Sequence, residues 1–162
     1  MHTWFECKIR YEKTMENGMN KKVTEPYLVD ALSFTEAEAR IIEEMTPFIS
    51  GEFTVSDIKR ANYSELFPCE EEAADRWFKC KLVFITLDEK SGAEKKTSTQ
   101  VLVQAADLRD AVKKLDEGMK GTMADYQIAS VAETAIMDVY PYSAEPDDKR
   151  PEATVRLLKP GF

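Results

Sequence analysis

Apolar and polar positions alternate with a period of two over residues 4–13. Phe5, Cys7, Ile9 and Tyr11 fall on one side, and Trp4, Glu6, Lys8, Arg10 and Glu12 on the other. That pattern, rich in aromatic and branched residues, predicts a half-buried strand. Asn17-Gly18 follows and suits the positive φ of a tight hairpin turn. A returning strand is expected over about residues 21–31, with Tyr27, Val29 and Ala31 inward. Pro26 has no N–H, so this strand has an unpaired point or lies at an edge. The period then changes. Phe34, Ala37, Ile41, Met45 and Phe48 recur at helical spacing, and Glu36, Glu38, Arg40, Glu43 and Glu44 take the wet side. Ser33 and Glu36 have the spacing of a capping box, with the glutamate reaching back to the cap amide. Thr46-Pro47 ends the helix, because proline disfavours helical geometry in the residue before it. Phe53 and Val55 open a third strand whose alternation slips near Asp57-Ile58, which predicts a bulge or break. Apolar positions resume at Tyr63, Leu66 and Phe67 before Pro68.

The whole pattern then returns. Trp77-Phe78-Lys79-Cys80-Lys81-Leu82 echoes Trp4-Phe5-Glu6-Cys7-Lys8-Ile9, and both tryptophans of the chain open this phrase. An echo of this kind points to an internal repeat. Phe78, Cys80, Leu82 and Phe84 repeat the inner face, and Ser91-Gly92 replaces Asn17-Gly18. Lys95-Lys96 matches Lys21-Lys22, and Val101-Leu102-Val103 matches Tyr27-Leu28-Val29. Asp107 stands for the cap Ser33 and Asp110 for Glu36. Leu108, Ala111, Leu115 and Met119 match Phe34, Ala37, Ile41 and Met45. Tyr126, Ile128, Val131 and Pro141 match Phe53, Val55, Ile58 and Pro68. The expected fold is therefore α+β: an internal duplication of a β-β-α-β(β) unit, with antiparallel sheets, one helix per repeat and a pseudo-two-fold axis. A closed barrel or two separate lobes are the alternatives. The first repeat spans residues 1–68, an acidic linker 69–75 and the second repeat 76–142. A polar tail, 143–162, holds a possible edge strand at Thr154–Leu158. The linker is short, so both repeats are expected in one compact domain.

Charge separates the halves. The net charge is −8. Residues 1–72 carry 8 basic and 15 acidic side chains, and residues 73–142 carry 10 and 11. This balance disfavours a general affinity for nucleic acid or for an anionic membrane. No apolar run approaches the roughly 20 residues that span a bilayer. The N-terminus lacks the charged and apolar regions of a signal peptide. Cys7, Cys69 and Cys80 are odd in number and form no Cys-x-x-Cys, which argues against a disulfide framework or a zinc site. A cytoplasmic protein with reduced thiols is expected.

Candidate chemistry is sparse. Glycine-rich phosphate loops, His-Glu-x-x-His and Gly-x-Ser-x-Gly are absent. The sole histidine is His2, and Cys7 and Cys80 read as small core residues on inner faces. The acidic run Glu70–Glu72 lacks the turn glycines of a calcium loop. No catalytic residue, metal ligand or cofactor is expected, so the reading is a non-enzymatic interaction module. Two surfaces could serve it. Val83, Ile85 and Leu87 put apolar side chains where the first repeat has Arg10 and Glu12, which makes this strand either central in its sheet or part of an interface with a protein partner or a second copy. On the same outer faces, Trp4, Lys8, Arg10, Trp77, Lys79 and Lys81 interleave aromatics with cations. That is the pattern of a single-stranded nucleic-acid binder.

The phrase at Trp4–Lys8, the run Thr24-Glu25-Pro26-Tyr27-Leu28-Val29-Asp30-Ala31-Leu32-Ser33-Phe34-Thr35-Glu36-Ala37-Glu38, and Asp88-Glu89-Lys90-Ser91-Gly92 resemble an uncharacterised family of gut Bacteroidetes and their bacteriophages. The resemblance covers about residues 3–142 and carries over no functional residue. It implies a phage or mobile-element setting, and with it an accessory role in replication, packaging or host interaction.

Overall fold

The structure is a computed structural model that describes residues 3–122 and 125–141. His2 and the proposed tail strand at Thr154–Leu158 lie outside the described residues. The fold is mixed α+β, with two helices and two four-stranded sheets among the described residues. In chain order the elements are β1 (Trp4–Thr14), β2 (Asn20–Asp30), α1 (Phe34–Met45), β3 (Phe53–Ala61), β4 (Glu65–Phe67), β5 (Arg76–Leu87), β6 (Glu94–Ala105), α2 (Leu108–Gly118), β7 (Asp125–Glu133) and β8 (Val139–Tyr140).

Local chemistry explains the boundaries. Gly18 and Gly92 take φ of 83° and 72° at the two hairpin tips, where a side chain would be strained. Ser33 Oγ accepts from the Glu36 N–H at 3.1 Å. Glu36 Oε1 accepts from Leu32 N–H rather than from the cap amide, one residue earlier than the capping-box spacing predicts. The second helix repeats this geometry. Asp107 Oδ1 accepts from Asp110 N–H at 2.8 Å, and Asp110 Oδ2 from Ala106 N–H at 2.9 Å. Thr46 caps the end of α1 as the proline beyond it predicts. The slip expected near Asp57 is a bulge: Lys8 pairs with Asp57 and Ile9 with Val55, so Ser56 is the extra residue. In β7 the register skips Ala129 in the same way, because Lys81 pairs with Ser130 and Leu82 with Ile128.

The first sheet has the order β3-β1-β2-β8, and the second, read from its far edge, β7-β5-β6-β4. The last strand of each half lies in the sheet of the other half. β8 pairs with β2 through Leu28↔Val139 and Val29↔Tyr140, and β4 pairs with β6 through Glu65↔Val101 to Phe67↔Val103. Both pairings are parallel, which corrects the expectation of wholly antiparallel sheets. Strands of two and three residues hold by main-chain bonds and a few anchors, so side-chain alternation cannot say which sheet they join.

Packing follows the alternation. Phe5, Cys7, Ile9, Val29 and Ala31 bury against Ala37, Ile41 and Met45 of α1. Phe78, Cys80, Leu82, Val101 and Val103 do the same against Ala111, Leu115 and Met119 of α2. The opposite sheet faces meet through a third cluster of Trp4, Leu28, Trp77, Leu102 and Ile136. The layers therefore run helix, sheet, sheet, helix, with the tryptophans at the central seam.

Candidate functional site

A cavity of about 510 Å³, open to solvent on one side, lies at the seam. Its lining comes from both halves. Trp4 opens β1 and Trp77 is the second residue of β5, Glu65 and Leu66 belong to β4, Val139 opens β8 and Asp138 precedes it. Trp4 and Trp77 stand 73 positions apart in the chain, as do Glu65 and Asp138, Leu66 and Val139, and Pro68 and Pro141, the last two of which also line the cavity. Ser64 and Gln104 complete the polar lining. The two indoles are 5% and 4% exposed, so each offers only a small part of its surface to the cavity.

Strand exchange builds this site. The chain leaving β3 crosses the second sheet, where Ser64 N–H donates to Gln100 O at 2.8 Å. The chain leaving β7 crosses the first sheet, where Met137 N–H donates to Pro26 O at 2.8 Å. Each exchanged strand also sends an aromatic ring into the neighbouring core. Phe67 packs under α2, and Tyr140 packs under α1, stacked on Tyr27 with ring centroids 6.2 Å apart. A helix cation holds the chain just beyond each strand. Arg40 of α1 donates to the backbone carbonyls of Pro141 and Asp30. Lys114 of α2 pairs with Glu71 at 3.0 Å and Asp110 at 2.8 Å. The linker run Glu70–Glu72 is therefore partly engaged, and Cys69 N–H donates to Gln104 Oε1 at 2.9 Å.

Asp138 carries the most informative carboxyl of the lining. Part of the residue faces solvent, yet the crowding of protein around the carboxyl pushes its pKa up. The Val139 N–H, donating to Oδ1 at 2.8 Å, offsets this only in part. Glu44 on α1 is also raised by burial, although Arg40 pulls it down. Tyr140 lies close to both acids and is raised strongly, by burial first and then by these charges. Asp138 and Glu65 have no salt-bridge partner among the described residues.

The sequence-predicted site residues separate. Trp4 and Trp77 meet at the seam, where they serve as core and cannot stack on a base without the sheets opening. Lys8 is half-buried beside Pro26 and Asp57, and Arg10 is exposed beside Thr24 and Thr54. Lys79 and Lys81 are exposed on the second sheet. The four cations thus stand on two different sheets, not on one continuous platform. Val83, Ile85 and Leu87 continue the row of Lys79 and Lys81 toward the hairpin tip. Val83 and Ile85 are half-buried, and Leu87 is 69% exposed. Cys7 and Cys80 are buried in the two helix-facing cores, where burial pushes their thiols up to about 12 and about 11. Among the described residues no group of three or more metal-ligating side chains gathers, and no helix is long and apolar enough to cross a membrane. Glu65, Gln104 and Asp138 were not singled out by sequence reasoning. The signal that could have found Glu65 and Asp138 is their place at equivalent positions beside Leu66 and Val139.

The model of a domain of unknown function (DUF4494) matches residues 3–142, and the chain belongs to that family. No curated protein matches the chain.

Proposed function

We propose that this member of the DUF4494 family is a non-enzymatic module for contact with another protein chain, with a second copy of itself as the first partner to test. One observation carries the reading. On the arm of the β5–β6 hairpin, Val83, Ile85 and Leu87 form an apolar row that no layer of the fold fully covers. Their cross-strand neighbours on β6 are Ser98, Lys96 and Glu94, so the row is apolar along one strand with a polar rim. A row laid on its own copy across a two-fold axis is self-complementary. Sedimentation velocity across a wide dilution series tests this. The wild type should show a concentration-dependent dimer, and Ile85→Lys with Leu87→Lys should return it to monomer without changing its circular dichroism. A wild type that stays monomeric throughout rejects self-association. The single-stranded nucleic-acid reading is not carried forward, because both indoles it needs are buried.

We further infer that the two halves arose by duplication of a β-β-α-β(β) unit about a pseudo-two-fold axis. The corresponding strand orders, the bulges at Ser56 and Ala129 and the matched helix caps support this. Exchange of the last strands favours one compact domain spanning both repeats. The three free cysteines suit a reducing cytoplasm. The resemblance stated above favours an accessory role in Bacteroidetes or their phages.

A further inference from the structure

We propose that the outer edge of β7 is a strand-docking site, and that the chain's own C-terminal segment, residues 154–158, fills it as a fifth strand of the second sheet. This contact is independent of the apolar row on β5. β7 lies last in its sheet and pairs only with β5, so among the described residues the main-chain groups on its far side have no partner along a strand of nine residues. An edge of that kind is a template for another strand. β3 ends the first sheet in the same way, and both strands carry a bulge. Their charges differ. Asp57, Lys59 and Arg60 stand on β3, where β7 has Ser130, Ala132 and a single acid, Glu133, 73 positions later. Charged side chains on an edge, lysine above all, discourage pairing, so β3 is defended and β7 is open. β4 and β8, of three and two residues, are too short to hold a strand on their outer sides.

The tail supplies the occupant. Residues 142–162 lie outside the described residues, and their sequence holds one run of strand type. Thr154-Val155-Arg156-Leu157-Leu158 is rich in branched residues, and Pro151 and Pro160 bracket it. On the edge of β7, Val155 and Leu157 would extend the row of Tyr126, Ile128 and Val131, which is half-buried against the core under α2. Charge agrees with this placement. The charged residues of β7 are Asp125 and Glu133, both acidic, and those of residues 154–159 are Arg156 and Lys159. Reach agrees as well. Pro141, the last described residue, follows Glu133 by eight positions, so it stands no more than about 28 Å from the end of β7. The twelve residues 142–153 can span about 40 Å. A segment that enters beside Glu133 and runs toward Asp125 is antiparallel to β7, the arrangement that β5 already has on the other side.

The test is amide hydrogen exchange of the full chain, read residue by residue by NMR, with the equivalent edge β3 as the internal control. The outward amides of β7 should exchange at least about tenfold more slowly in the wild type than in Val155→Pro/Leu158→Pro protein, with β3 unchanged. Successive main-chain N–H groups of a strand point to opposite sides, and these two positions have opposite parity, so one of them faces β7 in any register. Arg156→Glu/Lys159→Glu keeps every amide and should speed exchange along β7 by about threefold, because it sets acid against Asp125 and Glu133. Protection of β7 in the wild type should not change on dilution, as docking of the chain's own tail requires. Amides of β7 that exchange as fast as those of β3 in the wild type, or equal rates in the wild type and both variants, overturn the proposal. So does protection that disappears on dilution, which would give the edge to a second copy.

Discussion

Gly118→Ala should change sign with the residue at position 67. Gly118 closes α2 with an ordinary helical backbone, so alanine there would normally stabilise by about 0.5–1 kcal/mol through helix propensity and chain entropy. The exchanged strand opposes that gain. A Cβ on Gly118 would meet three atoms of the Phe67 ring at 2.9, 3.0 and 3.1 Å. The ring cannot withdraw freely, because it packs into the core beneath α2 while its backbone is paired to Val103 of β6. Overpacking of this kind costs about 1–3 kcal/mol, so the variant should lose about 1–2 kcal/mol net. Phe67→Ala alone should cost about 2–3 kcal/mol, below the value for a fully buried ring because Phe67 is half-exposed. In the Phe67→Ala background the obstacle is gone, and Gly118→Ala should stabilise by about 0.5–1 kcal/mol. The cycle would therefore show a coupling of about 2 kcal/mol. Urea unfolding of the four proteins, followed by circular dichroism, measures it. If Gly118→Ala stabilises both backgrounds equally, the ring does not lie over the end of α2, and the placement of β4 in the second sheet fails with it.

Three further outcomes follow from the geometry. At mildly alkaline pH, iodoacetamide should modify only Cys69 in the native protein and all three thiols in denaturant, because burial raises Cys7 and Cys80; mass spectrometry of labelled Cys69→Ser protein should then show no native modification. Asp138 and Glu44 have raised carboxyl pKa values, so their contribution to stability is full below the unfolded-state pKa and is lost as pH rises through the folded value. Asp138→Asn and Glu44→Gln should therefore raise the urea midpoint at neutral pH, with the gain shrinking toward acid. Removing the cap of α2 with Asp107→Ala should cost about 1 kcal/mol in the same unfolding assay, and Ser33→Ala should cost a similar amount at α1.

Much of the fold was legible because its signals are local. Asn17-Gly18 and Ser91-Gly92 marked the tips, Ser33 and Asp107 marked helix starts, and the slip at Asp57 marked a bulge. Each depends on residues within a few positions of one another. The exchange of β4 and β8 was not legible, since Leu66 and Val139 look alike whichever sheet receives them. The alternation put Trp4 and Trp77 on the face away from the helices, but it could not say that two such faces pack together. Residues that read as a possible stacking surface are therefore the seam. The cavity was hidden for the same reason. Leu66 and Val139 are far apart in sequence and reach the seam only when each half lends a strand to the other.

That loan also sets the order of assembly during synthesis. A chain released as far as the linker has β1, β2, α1 and β3 in hand, but the strand that flanks β2 is Val139–Tyr140. Tyr140 and the Arg40–Pro141 bond arrive with it, nearly a hundred residues after α1 has emerged. The first sheet must wait with an open edge beside Leu28 and Val29 while β4, already made, waits for β6. The second sheet has all four of its strands once Glu133 is made, so it can close first, and the first sheet is completed last. A chaperone or a second nascent chain would meet the same open edge during that interval, before the protein has closed on itself.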